Sequence, residues 1–160
     1  TMVIGWVLLG DASAVEAGSH HARAPHENGI VQCWGSNSHG KSNPYTEADA
    51  LAISLDPFHT CVLKSSGNVE CYGGWSSWQR LNYTNGDAIA RAAGQDHSCV
   101  PIPNGNVLCF GANTYGQRVT YEGGHTVGVP AGFYYTCILL DMAIVNCEGL
   151  NNRGQSEDFY

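Results

Sequence analysis

Cysteine and histidine have the widest chemical repertoire in this chain, because both ligate metals and both take part in nucleophilic catalysis. The chain has seven of each, and their spacing is regular. Three series recur at intervals of 38 residues: Cys33, Cys71, Cys109 and Cys147; Cys61, Cys99 and Cys137; His21, His59 and His97. Residues that recur at one interval belong to a repeated unit, so their role has to be sought in each repeat.

Other residue types follow the same interval. Glycine and valine recur at Gly35, Gly73, Gly111 and Gly149 and at Val31, Val69, Val107 and Val145. Tandem units of this length are typical of propellers and solenoids, in which each unit buries its apolar face against its neighbours. We therefore predict two parts, an apolar head at residues 1–11 and a four-repeat propeller domain at residues 12–160.

Each of the last three repeats carries two cysteines separated by nine residues: Cys61 and Cys71, Cys99 and Cys109, Cys137 and Cys147. Zinc sites need closely spaced cysteine pairs with a second pair nearby, and that spacing is absent. Disulfides within each repeat are predicted instead, each stabilising the fold by about 2.5–3 kcal/mol. Three disulfides suit an extracellular or cell-surface protein.

The first repeat departs from this pattern. Arg23 stands where the first cysteine is expected, so Cys33 is predicted to have no partner within the chain. Two interpretations remain for this thiol, a buried free cysteine or an intermolecular disulfide.

The histidines offer little support for catalysis or metal binding. A histidine at one position of several repeats indicates a structural role at the start of a strand. The denser group of His20, His21 and His26 has Glu27 alone as a neighbouring ligand. The sequence has no nucleophile elbow, phosphate-binding loop or His-Glu-x-x-His motif. We predict no enzyme activity, no metal site and no cofactor.

Charge excludes a further class of partner. Seven lysines and arginines face fourteen acidic residues, and the formal net charge is -7. Such a chain has no basic surface with which to neutralise phosphates, so neither nucleic acid nor an anionic membrane surface is a predicted partner.

The third repeat shows which elements position these residues. Its sequence divides into a strand at Ala88–Gly94, a strand at His97–Ile102, a turn at Pro103–Asn106 and a strand at Asn106–Phe110. Asn-Gly between apolar residues is a strong hairpin signal. In this hairpin the two cysteines of the repeat face each other across neighbouring strands.

The motif H-[TS]-C-x5-G-x-V-x-C-x-G-x-N-x-x-G-Q resembles the regulator-of-chromosome-condensation repeat family, in the form with disulfides. It rests on His59-Thr60-Cys61, Gly67-x-Val69-x-Cys71-x-Gly73, the same set at 97–111, and the loops 111–117 and 149–155. The resemblance implies an all-β, propeller-type array of four four-stranded blades of 38 residues. Known members use seven blades, and their roles include nucleotide exchange, chromatin binding and β-lactamase inhibition. None of those roles transfers to residues of this chain.

The first ten residues of the head are strongly apolar through Val3, Ile4, Trp6, Val7, Leu8 and Leu9. It lacks the basic start of a signal peptide and is too short to span a bilayer. We predict a β-strand that either closes its own propeller or docks in a second copy by strand addition.

Two tryptophans depart from the repeat template. Trp75 and Trp78 replace the loop asparagine and glycine of the other repeats, and they either project as an interface or sugar-binding pair or cover a neighbouring blade. Asn82-Tyr83-Thr84 follows them as a glycosylation sequon.

The predicted function is a non-enzymatic extracellular structural protein that assembles with copies of itself through the head and the blade faces. Four blades could form a tight ring, half of an eight-bladed ring, or one unit of a head-to-tail filament. The alternative is a monomeric recognition propeller that binds carbohydrate or another extracellular protein.

Overall fold

The protein is built from four antiparallel sheets that follow one another along the chain. The structure, a computed structural model, describes residues 11–74 and 82–158. Blade 1 consists of β1 (Glu16–Ala17), β2 (His21–Pro25) and β3 (Val31–Gly35), and blade 2 of β4 (Ala50–Leu55), β5 (His59–Lys64) and β6 (Val69–Gly73). Blade 3 consists of β7 (Ala92–Ala93), β8 (His97–Pro101) and β9 (Val107–Gly111), and blade 4 of β10 (Thr126–Gly128), β11 (Tyr135–Leu140) and β12 (Val145–Gly149). Within the described residues, one short 3-10 helix at Ser38–Gly40 accompanies them.

The predicted hairpin forms in every blade, with one register. In blade 2, His59 pairs with Gly73 and Cys61 pairs with Cys71. Gly73 has a φ of 91°, and a Cβ on it would lie 2.6 Å from the carbonyl oxygen of Phe58. The repeated glycine at this position therefore allows two backbones to approach closely, which explains why all four repeats keep it.

The register brings the predicted cysteine pairs together. Three disulfides are present, joining Cys61 to Cys71, Cys99 to Cys109 and Cys137 to Cys147. Among the described residues Cys33 is the free cysteine.

The prediction of four-stranded blades is wrong, because the described residues form three strands in each blade. Where a fourth strand was expected, the chain touches the sheet through one bridge, at Tyr45, Tyr83 and Tyr121 in blades 1 to 3. In blade 2 the adjacent Cys71 amide donates to the side-chain Oδ1 of Asn82 at 3.0 Å rather than to a backbone carbonyl.

The apolar core lies between blades. Three clusters of buried residues occur, one at each of the three junctions between successive blades. At the junction of blades 3 and 4, Cys99, Val107 and Cys109 pack against Ile138. We call the side of a blade that packs on the following blade its forward face, and the opposite side its backward face.

Candidate functional site: the blade junctions and the exposed face of blade 4

A repeated polar contact accompanies the apolar clusters. The Nε2 atoms of three buried histidines contact a hydroxyl group of the following blade. The pairs are His21 with Thr60 at 3.1 Å, His59 with Ser98 at 2.8 Å, and His97 with Thr136 at 2.7 Å. Each histidine is used to join neighbouring blades, which gives the repeated position a structural role.

Burial sets the charge of two of these imidazoles. Burial lowers the pKa of His97 to about 4, and nearby His59 adds to this effect. The pKa of His21 also falls to about 4, first through burial and then through the positive charges of Arg23 and Lys41. Both rings are therefore neutral near pH 7. In residues 11–74 and 82–158, no group of three or more potential ligand residues is placed to hold a metal ion.

The middle histidine has a partner that the sequence analysis missed. The Asp56 carboxylate lies against Nδ1 of His59, whose Nε2 meets Ser98. This order of carboxylate, imidazole and hydroxyl is that of a hydrolase triad. However, Ser98 is 4 % exposed and its Oγ lies 3.4 Å from the sulfur of Cys61, so a substrate has no access to it. The hydrogen-bonded side chains of Asp56, His59 and Ser98 therefore join blade 2 to blade 3.

A sequence signal for Asp56 exists. The other three repeats carry glycine at this position, as Gly18, Gly94 and Gly132. Asp56 also accepts from the backbone amide of His59 at 2.8 Å, so its carboxylate holds the start of β5 as well as the ring.

Blade 1 replaces a disulfide with a buried cation. Arg23 pairs in register with Cys33, is fully buried, and donates from Nη2 to the carbonyl of Lys41 at 2.5 Å. The guanidinium also lies 5.9 Å from the ring centre of Tyr72. Burial raises the pKa of the Cys33 thiol, so this cysteine is protonated at neutral pH and has little nucleophilic character.

The forward face of blade 4 is exposed where the other forward faces are buried. Val107 is 0 % exposed, whereas Val145 at the same repeat position is partly exposed. Leu63 is 5 % exposed, and its counterpart Leu139 is 37 % exposed. This forward face comprises Tyr135, Cys137, Leu139, Val145 and Cys147, of which Leu139 is exposed and the other four are partly exposed.

The two ends of the array also lack the polar contact. Tyr135 occupies the histidine position of blade 4, and Ala22 occupies the hydroxyl position of blade 1. Ala22 is partly exposed, whereas Thr60 and Thr136 at the same position are fully buried. Ala24, the next residue on the backward face of blade 1, is fully buried, so the exposed region there is narrow.

The remaining predicted site residues divide into two groups. Val3, Ile4, Trp6, Val7, Leu8, Leu9, Trp75 and Trp78 lie outside the described residues. Asn82 is exposed, and its Oδ1 accepts from the Cys71 amide. Sequence reasoning predicted that blade faces serve as contact surfaces, but it did not name the residues of the forward face of blade 4.

Sequence comparisons find no matching family and no matching curated protein. Solved structures do match. Prp20p from Saccharomyces cerevisiae has a TM-score of 0.78 at 16% identity, covering 89% of this chain and 45% of its own. The ectodomain of the receptor kinase ACR4 from Arabidopsis thaliana has a TM-score of 0.75 at 19% identity, covering 93% and 55%.

A third match is the ectodomain of the receptor kinase CR4 from Physcomitrella patens, with a TM-score of 0.74 at 20% identity, covering 86% of this chain and 40% of its own. The chain thus has an RCC1-like propeller fold and spans about half the length of these proteins. Across the part of the chain that the structure describes, none of the helices has the length and apolarity needed to cross a bilayer.

Proposed function

We propose that this protein is a non-enzymatic extracellular structural protein that assembles with copies of itself through its blade faces and its apolar head. The observation that carries the proposal is the exposed forward face of blade 4. Four of its residues, Cys137, Leu139, Val145 and Cys147, have the same identities as their counterparts in blade 2, which are all buried. Burying a large apolar side chain releases roughly 1.5–3 kcal/mol, so covering this face favours association.

The residues at the two ends support a second copy as the partner. An ordinary following blade presents serine or threonine to a histidine, whereas Tyr135 is too long to make that short contact. Ala22 provides space where the ordinary blade has a hydroxyl. A large residue on one end and a small one on the other are complementary in size, so blade 4 of one copy fits blade 1 of another.

The head is the second contact in this proposal. Residues 1–10 precede blade 1 in the sequence, and in this proposal they bind the copy whose blade 4 meets that blade 1. An apolar strand can add to an exposed sheet edge through backbone hydrogen bonds. The three disulfides and the receptor-ectodomain neighbours support an extracellular location.

Sedimentation of the oxidised protein over a range of concentrations tests the proposal. We expect mass above the 17.1 kDa of one chain at high concentration. Deleting Thr1–Gly10 should leave folded subunits that no longer assemble, and a synthetic head peptide should compete with assembly. A protein that stays monomeric at high concentration contradicts self-assembly.

Leu139 and Met142 provide a matched pair of variants on blade 4. Both side chains are exposed, but Leu139 lies on the forward face whereas Met142 lies in the hairpin turn. L139E should abolish assembly because it places a charge in the contact, and M142E should leave assembly unchanged. Equal effects of the two variants would show that the forward face is not the contact.

A recognition role is the second candidate, favoured by a surface pocket of about 390 Å³ on blade 2. The residues that line it include His39, Asn43, Glu70 and Tyr72, a combination of aromatic and polar residues that suits a sugar. Among its neighbours in fold, Prp20p binds Gsp1p and histones, so such propellers also serve as protein-binding scaffolds. Glycan-array binding by the wild type, lost in Y72A and in W75A/W78A, would support this role.

A further inference from the structure

The outer edge of blade 2 presents a modifiable asparagine. The sequon Asn82-Tyr83-Thr84 lies where the chain makes its single bridge to β6, with Val69 N to Tyr83 O at 2.8 Å and Tyr83 N to Val69 O at 2.9 Å. In extended backbone, alternate side chains point to opposite sides. Tyr83 is buried, and both Asn82 and Thr84 are exposed. The two residues that define the sequon thus share the solvent side.

One hydrogen bond orients the Asn82 amide. Oδ1 accepts from the backbone amide of Cys71 at 3.0 Å. Because the carboxamide is planar and carries its oxygen and nitrogen on opposite sides, a carbonyl held against β6 directs Nδ2 away from the sheet. The exposed position of Asn82 therefore presents the nitrogen to solvent.

Blade 4 shows which part of this side chain the fold needs. Asp158 occupies the same repeat position, and its Oδ1 accepts from the Cys147 amide at 2.8 Å. A carboxylate serves there as well as an amide, so the acceptor oxygen is the structural element. Among the described residues, none accepts a hydrogen bond from the amide nitrogen of Asn82.

We propose that Asn82 carries an N-linked glycan. In the reaction, Nδ2 attacks the anomeric carbon of a lipid-linked oligosaccharide, a C–N bond forms, and the bond from that carbon to the pyrophosphate oxygen breaks. The amide loses one proton and the lipid pyrophosphate leaves. The hydrogen bond from Cys71 to Oδ1 persists in the product, since the modified side chain is still an amide.

The location also gives the glycan a physical role. A sheet edge with unpaired backbone groups invites pairing with other chains, and proteins block such edges with proline, charge or bulk. The other repeats carry Pro44, Thr120 and Asp158 at this position. A glycan on Asn82 would protect the edge of blade 2, which is a different blade from the one that carries the proposed contact face.

Expression in a eukaryotic secretory host tests the site, and the chain holds one sequon. The secreted wild type should shift to lower mass on treatment with peptide N-glycosidase F, with residue 82 converted to aspartate in the released peptide. T84S should keep the shift because it keeps the sequon. A secreted wild-type protein that shows no shift would overturn the proposal.

Two variants separate loss of the glycan from loss of folding. T84A removes the sequon at an exposed side chain and leaves the Asn82 contact intact. N82D removes the acceptor nitrogen but keeps the oxygen that Cys71 needs, as Asp158 does for Cys147. Both should be secreted without a glycan, and a glycan retained in either would contradict the assignment. If N82D is not secreted, the secreted T84A decides the matter alone.

Discussion

Blades 3 and 4 have nearly the same sequence template and the same hairpin register, yet one is buried and the other is not. Cys99 is fully buried and Val107 is 0 % exposed, whereas their counterparts Cys137 and Val145 are partly exposed. The difference arises from the neighbour alone, because blade 3 packs against Ile138 of blade 4. A blade of this kind completes its core only with the next blade, which is the basis for proposing that blade 4 binds a partner.

Disulfide removal should produce the largest effect in this comparison. We expect C99A/C109A to lower the free energy of unfolding by about 3–5 kcal/mol, because it loses a crosslink and disturbs a buried junction. C137A/C147A should lower the free energy of unfolding by less, since Cys137 and Cys147 are partly exposed. Urea unfolding of the two variants measures the difference, and equal losses would contradict a difference in packing.

Acidification should weaken the junctions that contain neutral histidines. His21 and His97 have a pKa of about 4 in the folded chain, against 6.5 for an ordinary histidine. The unfolded chain therefore binds more protons between these values, so stability is full above about pH 6.5 and falls as the pH drops toward 4. The loss should reach roughly 2–3 kcal/mol per histidine. Thermal unfolding against pH should show a smaller slope for H21Q/H97Q.

Blade 1 differs from the other blades in having Arg23 in place of a disulfide cysteine, and a substitution can restore that cysteine. Because Arg23 pairs with Cys33 in the register that the disulfides use, R23C should form a fourth disulfide. It should raise the free energy of unfolding by about 2 kcal/mol, since the crosslink outweighs the lost contact with Lys41. A thiol assay under denaturing conditions should find no free cysteine. A persistent free thiol would show that the strands of blade 1 are held differently.

Equivalent valines provide a finer comparison. V107A should cost about 2 kcal/mol because it opens a cavity between blades 3 and 4. V145A should cost less than about 1 kcal/mol in the monomer, where Val145 is already partly exposed. Measuring both at low and high protein concentration sharpens the comparison, since assembly should increase the cost of V145A alone.

The smallest effect concerns the hairpin turn. Gly29, Gly67 and Gly105 have φ values of 74–77°, and Ala143 takes the same position in blade 4 with φ at 61°. Left-handed backbone is unfavourable for residues with a Cβ. A143G should therefore stabilise the protein by about 0.5–1 kcal/mol in thermal unfolding. Destabilisation would indicate that the alanine methyl group makes a contact that matters.

Much of the fold could be predicted from the spacing of repeated residues in the sequence. The 38-residue interval predicted the number of blades, and the cysteine pairs with the Asn-Gly turn predicted the hairpins and their disulfides. The number of strands per blade was predicted wrongly from the family resemblance, since the described residues form three strands in each blade.

The candidate site was less accessible. The number of repeats predicted that an array of four blades leaves its end faces unpaired. The template did not indicate which residues those faces expose, because Leu139 and Val145 match it as well as their buried counterparts do. The histidine contacts join residues 39 apart in different blades, and local patterns carry no information on that distance.

The sequence by itself determined the repeat, the hairpin in each unit and the pairing of six cysteines, because these depend on contacts within one unit. Only the tertiary structure decided which faces are buried, that Asp56 holds His59, and that Arg23 fills the place of a disulfide. These features depend on how neighbouring blades pack against each other. The contacts that decide them join residues that are far apart in the sequence, so local patterns do not reveal them.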